Sequence, residues 1–174
     1  AVASCTKISP TENVTVNKTA ADAASLQQQP LRTKIYLIAA GMHDCTPNPF
    51  VLTTKSQFTF TAIFDSSCIY TTTDPNNQND INKLFGFSDC NDHHLENSAR
   101  VGWRWSNDSL RLFAFVHNNG EMVFKEMTTA RIGSTIKCRI SCLEFTYLFE
   151  INRSVAQLPR HCSGSRMTRY KLYP

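Results

Sequence analysis

The chain alternates apolar and polar residues in short runs broken by turn residues, the period of half-buried strands. Gln57 to Phe64 sets Phe58, Phe60, Ala62 and Phe64 on one face and Gln57, Thr59 and Thr61 on the other. Ser98 to Ser106 groups Ala99, Val101, Trp103 and Trp105, and Ser109 to His117 groups Leu110, Leu112, Ala114 and Val116. The latter run ends in Asn118-Asn119-Gly120. Asn-Gly between two alternating runs signals a two-residue hairpin, because a type I′ turn needs positive φ at both central positions. Glu121 to Met127 is the returning partner. Lys34 to Ala39, Lys83 to Ser88, Thr135 to Ser141, Leu143 to Ile151 and Arg169 to Tyr173 complete a set of about nine strands. No long helix competes with them. The pattern predicts an all-β fold: two antiparallel sheets face to face, a β-sandwich of jelly-roll, concanavalin- or lectin-like type. Residues 1–30 lack alternation and end in Gln27-Gln28-Gln29-Pro30, which predicts an extended N-terminal tether before a sandwich spanning 31–174.

Composition narrows the class. The 174 residues are 41% hydrophobic but only 18% charged, below the roughly 25% of an average soluble protein. Ser, Thr and Asn, about a quarter of the chain, make the polar surface mostly neutral. A highly charged disordered chain and a coiled coil are both excluded by these figures. No apolar run approaches the length of a membrane span. A net charge of +4 is too small and too scattered to imply nucleic acid. Seven cysteines without any C-x-x-C pair point away from zinc and toward an oxidising compartment, hence export. Cys5 ends the tetrad Val2-Ala3-Ser4-Cys5, which has the form of a bacterial lipobox, so Cys5 is a candidate lipid anchor and the chain's one link to a membrane. The other six, Cys45, Cys68, Cys90, Cys138, Cys142 and Cys162, are an even set that pairs wholly or in part, with buried free thiols as the alternative. Sequons stand at Asn13, Asn17, Asn107 and Asn152.

Candidate chemistry lies on the face opposite the Trp103 and Leu112 stripes. Alternation places Arg100, Gly102 and Arg104 there on one strand and Arg111, Phe113, Phe115 and His117 on its neighbour. Three guanidinium groups beside two aromatic rings and an imidazole suit a carbohydrate, above all an anionic one. Rings cover sugar C–H faces, and Arg forks take carboxylate or sulfate bidentately. The competing reading buries Phe113 and Phe115 under a loop or under the 1–30 segment, with the arginines lying over them. Two Asn/Asp-rich loops offer Asp74, Asp80, Asp89 and Asp92 as candidate ligands for a structural calcium, although the EF-hand spacing is absent. No catalytic motif is present; Arg100, Arg104, His117 and Tyr147 supply residue types that a lyase uses, without a diagnostic spacing.

The runs Phe64-Asp65-Ser66-Ser67, Asn79 to Asp89 (Asn-Asp-Ile-Asn-Lys-Leu-Phe-Gly-Phe-Ser-Asp), His93-His94, Asn97 to Trp105 and Tyr170-Lys171-Leu172-Tyr173-Pro174 resemble small secreted or lipoprotein β-sandwich proteins of Bacteroidota, largely uncharacterised. The resemblance covers roughly residues 34–174. It implies export to the cell surface or outer membrane, a lectin-like sandwich, and a final strand beyond Tyr173-Pro174; it supplies no catalytic residues. Three functions follow as expectations. The first is a non-enzymatic exported protein that binds glycan or another envelope component. The second is a polysaccharide-degrading lyase or hydrolase on the same scaffold. The third is an assembly subunit with an outer-membrane or surface protein partner, joined through an open sheet edge.

Overall fold

Strand formation follows the alternation. The structure, a computed structural model, describes residues 7–10, 34–38, 44–164 and 167–174. Among these, twelve strands form: β1 (Lys7–Pro10), β2 (Lys34–Ile35), β3 (Leu52–Thr53), β4 (Gln57–Ile63), β5 (Asn82–Ser88), β6 (Asn97–Ser106), β7 (Ser109–Asn118), β8 (Glu121–Ala130), β9 (Thr135–Cys142), β10 (Thr146–Ile151), β11 (Ser154–Pro159) and β12 (Arg169–Leu172). They build two six-stranded antiparallel sheets with orders β11-β10-β9-β4-β1-β2 and β3-β12-β5-β6-β7-β8. The protein is a β-sandwich. Two tight hairpins link β6 to β7 and β7 to β8. Asn107 and Asp108 take φ of 50° and 52° at the first, and Asn119 and Gly120 take 54° and 81° at the second, the left-handed pairs of type I′ turns.

Three elements depart from the sequence reading. Lys7–Pro10 lies inside the expected tether, yet it pairs with β4 from Lys7↔Ile63 to Pro10↔Phe60 and so occupies what would be an open edge of that strand. β10 starts at Thr146 because the Leu143 N–H donates to the Thr146 carbonyl across a turn. β11 pairs with β10 through a two-residue turn at Asn152, whose φ is 54°; its sequence, Ser-Val-Ala-Gln-Leu-Pro, carries too little alternation to announce a strand.

The core is the interleaved inner faces. Phe58, Phe60, Ile136, Ile140, Tyr147 and Phe149 from one sheet meet Phe85, Phe87, Val101, Trp103, Leu112 and Ala114 from the other. Aromatic pairs bridge the sheets: Phe58 stacks on Phe87 at 4.1 Å between centroids, Phe60 meets Phe85 edge-on at 4.9 Å, and Phe64 meets Trp103 at 5.2 Å. Such pairs add about 0.5–1.5 kcal/mol each beyond the area they bury.

At one end of the sandwich, charge and a disulfide tie the sheets together. Asp89, just after β5, is fully buried between Arg160 and Arg169, its carboxylate 2.6 Å from Arg160 Nε and 2.8 Å from Arg169 Nε. The Tyr147 hydroxyl donates to the same carboxylate at 3.0 Å. The guanidinium groups also donate to backbone carbonyls, Arg160 to Leu143 at 2.7 Å and Arg169 to Met167 at 3.1 Å. Next door, Cys90 is bonded to Cys162 across a sequence separation of 72 residues. Closing so long a loop removes about 4 kcal/mol of unfolded-state entropy. Replacing both cysteines by alanine is expected to cost that order of stability, read as a lower midpoint in denaturant with the slope altered by the released loop.

The cysteine set therefore pairs only in part. Cys90 and Cys162 are joined and Cys68 is disulfide-bonded, while Cys45, Cys138 and Cys142 are free thiols. Burial pushes all three free thiols up, Cys142 to about 11, so they are protonated and inert at neutral pH. Cys5 lies outside the described residues, as do the sequons Asn13 and Asn17. Disulfides are consistent with an exported protein. No helix among the described residues is long and apolar enough to cross a membrane.

Candidate functional site

The six residues expected to form a binding face do share the outer face of the β5-to-β8 sheet. The register sets Arg100 opposite Phe115, Gly102 opposite Phe113, Arg104 opposite Arg111 and Ser98 opposite His117. Most of that face is closed. Phe113 and Phe115 are each 2% exposed and form a second small apolar cluster with Ile81. Ile81 fills the space over Gly102, where an added Cβ would fall 2.4 Å from its Cγ2. Arg104 lies 4.9 Å over the Phe113 ring and donates to the Asn79 carbonyl at 2.7 Å. Lys83 lies 4.6 Å over the Phe115 ring. Arg111 pairs with Glu126 at 2.7 Å and donates to the Ser106 carbonyl. His117 is buried against Phe115, its Nδ1 3.3 Å from the Ser98 hydroxyl. The expectation of an open aromatic platform is corrected here: the rings are covered by cationic stems, because two exposed Phe side chains on a strand gain more from burial than from waiting for a sugar.

Of the six, Arg100 lines two grooves. One, of about 470 Å³, is lined by Tyr70, Asn77, Asp80, Lys83 and Arg100, among others. The second, of about 380 Å³, is lined by Asp44, Phe50, His94, Arg100 and Tyr170, among others. Tyr173 and Pro174 border both. Each volume lies within the range of roughly 300–1,000 Å³ that small-ligand sites occupy.

Local structure aims the side chains. Gly86 sits directly opposite Arg100, and a Cβ there would fall 2.0 Å from the Ala99 carbonyl and 2.7 Å from Arg100 Cγ. Only glycine lets the Arg100 stem lie flat across β5. A register shift between Lys83 and Phe85 inserts one extra residue into β5. That bulge turns Lys83 outward, opposite Gly102, while Phe85 and Phe87 stay in the core. On the other side, the loop before β6 brings up His94, whose backbone N–H donates to the Tyr170 hydroxyl at 2.8 Å and whose Nδ1 lies 3.0 Å from the same oxygen. Gly86→Ala is therefore expected to displace Arg100 and strain β5, with a thermal midpoint several degrees lower and loss of any ligand held by Arg100; calorimetry with and without ligand reads both.

The site is electropositive and unpaired. Arg100 makes no ion pair among the described residues, and its buried Nε has no hydrogen-bond partner there. Desolvation lowers the Arg100 guanidinium to about 10, so it stays charged. Desolvation and then the charge of Arg100 depress Lys83, His94 and His117, with His94 down to about 4. Among the described side chains that line the two grooves, the carboxylates are Asp80 in one and Asp44 in the other. His94 stays neutral in the folded state below its ordinary value of 6.5, while the unfolded chain takes a proton there. Stability is expected to fall as pH drops from about 6.5 to about 4, and His94→Gln to flatten that slope, as read by thermal midpoints across this window.

The calcium candidates do not come together. Asp74 caps the short 3-10 turn Pro75–Asn79 through the Asn76 N–H, and Asp80 closes the same turn. Asp92 accepts from the Asn97 side chain at 2.7 Å. Asp89 is committed to its two arginines and Tyr147, so its candidacy is corrected: its oxygens face cationic donors, not a vacancy for a cation. Asp89 also lies near the sulfurs of Cys90 and Cys162, but those are bonded to each other.

Sequence reasoning missed Lys83, His94, Tyr170, Tyr70 and Phe50. Their place at the site depends on a bulge, on loops and on β12 returning beside β5, which pairs Lys171↔Phe87 and Leu172↔Gly86. No family model matches the chain, and no curated protein matches it.

Proposed function

We propose that this is an exported, non-enzymatic β-sandwich that binds an acidic glycan at Arg100, and that it belongs with the Bacteroidota surface proteins its sequence resembles. The single observation that carries this reading is a half-buried, unpaired guanidinium, its Nε buried without a partner, lining two open grooves. A partly desolvated charge without a partner costs free energy in the free protein. A carboxylate or sulfate bound there supplies the missing acceptor through charge-assisted hydrogen bonds. Carbohydrate suits the rest of the walls: hydroxyl-bearing tyrosines, the Asn77 and Asn82 amides, and exposed carboxylates that accept from sugar hydroxyls. Isothermal titration with oligosaccharides of alginate, pectate and chondroitin sulfate tests it. Saturable binding of at least one, lost in Arg100→Gln, supports the reading; no binding across the acidic panel contradicts it.

A second reading, a lyase, rests on the Tyr170 hydroxyl, which sits against His94 in the same groove as Arg100. A β-elimination needs a carboxylate neutralised by a cation, a base to take the adjacent C–H proton, and a proton for the leaving oxygen as the C–O bond breaks and the C=C bond forms. Appearance of ultraviolet-absorbing unsaturated product from the same panel, abolished in Tyr170→Phe, separates this reading from simple binding.

A further inference from the structure

Two grooves meeting at one cation suggest more than an acidic group. They differ in chemistry. The larger has Asn77, Asp80 and Asn82 on its walls, with Thr72 and Tyr70 beside them. The smaller carries Phe50, which is 73% exposed and lies 5.4 Å from the Tyr170 ring. An apolar ring this exposed, braced against a second ring at a groove wall, offers a face for sugar C–H groups. The amide and carboxylate side offers partners for hydroxyls. Arg100 lines both grooves, so a ligand anchored there by its acidic group has room on either side of that group.

We propose that the protein recognises an acidic oligosaccharide in mid-chain: an internal acidic residue sits on Arg100, one neighbouring sugar packs on Phe50, and the other lies along Asn77 and Asp80. This rests on the reading of Arg100 as an acidic-glycan site. The charge layout separates such a chain from a nucleic acid. Asp80 and Asp44 stand in the grooves flanking the cation. A phosphate on every successive unit would meet those carboxylates, whereas a chain with sparse acids and many hydroxyls would hydrogen-bond them.

The test is a length series on the intact chain by isothermal titration. Free glucuronic acid and hyaluronan tetramers and hexamers, in which acidic and neutral sugars alternate, are used together with single-stranded dT oligonucleotides. The expected result is an affinity that rises at least tenfold from the single sugar to the longer chains. Phe50→Ala and Asn77→Ala should each lose several-fold on the long ligands and leave the single sugar unchanged. Both residues are exposed, so neither change threatens the fold. Equal affinity for the single sugar and the long chains, or long-chain binding indifferent to both substitutions, overturns mid-chain recognition while leaving the Arg100 reading intact. Binding of oligo-dT as tight as that of an acidic oligosaccharide of equal charge overturns the carbohydrate assignment. Absence of binding by every acidic sugar removes the underlying reading itself.

Discussion

Asp89→Ala is expected to destabilise the protein by about 3–5 kcal/mol, the typical cost of deleting one partner of a buried ion pair. For a chain of this length that lowers the thermal midpoint by roughly 6–20 °C. The reason is geometric. Asp89, Arg160 and Arg169 have no exposed side-chain surface, and the one carboxylate answers two guanidinium groups. Its loss leaves two positive charges in the interior beside Tyr147, whose hydroxyl loses its acceptor. Asp89→Asn should cost nearly as much, because it keeps the shape and removes the charge. A triple change of Asp89, Arg160 and Arg169 to apolar residues should recover part of the loss, since no uncompensated charge remains. Recovery stays partial because the arginines also satisfy the carbonyls of Leu143 and Met167. Circular dichroism melts of the three variants check this order; equal stability of Asp89→Ala and wild type would show that the cluster does not hold the sandwich closed.

Arg100→Gln is expected to weaken binding of an acidic oligosaccharide on the order of 10–100-fold, which corresponds to the ~1.5–3 kcal/mol of a charge-assisted hydrogen-bonded contact. The free protein should behave in the opposite sense. Arg100 is desolvated and unpaired, and its charge depresses Lys83, His94 and His117. Removing it relieves that repulsion, so the thermal midpoint of the unliganded variant should equal or exceed that of wild type. Loss of affinity with retained or raised stability marks a residue kept for its ligand. Loss of both would assign Arg100 a structural role.

How much of this was legible in the sequence depends on what sets each feature. Strands β4 and β9 follow strict alternation with one face buried, and period-2 patterning leaves little freedom in such runs; β6 and β7 also form strands but are covered on both faces. The Asn119-Gly120 turn is equally local. β6 and β7 turn the expected side chains inward, so Arg100, Arg104, Arg111, Phe113, Phe115 and His117 share the outward face. What alternation cannot express is cover. Ile81 seals Gly102 from a loop, and Lys83 reaches Phe115 only because a bulge reverses its side. Local pattern would place Lys83 inside, beside Phe85. His94 and Tyr170 lie 76 residues apart and meet through β12, a pairing that no short-range signal encodes. Asp89 read as a loop carboxylate for the same reason, since Arg160 and Arg169 reach it from segments 71 residues or more along the chain.

Arg100 is proposed to hold an anion. The most direct measurement is a two-dimensional NMR titration of the arginine Nε–H signals with an acidic oligosaccharide such as a galacturonate trimer, assigned through Arg100→Gln. Arg100 Nε has no hydrogen-bond partner among the described residues, whereas Arg160 and Arg169 are held by Asp89. The expected result is a saturable downfield shift of the Arg100 signal while those of Arg160 and Arg169 stay fixed. An Arg100 signal that does not move with ligand, or that moves only in step with every other exposed arginine, would contradict it.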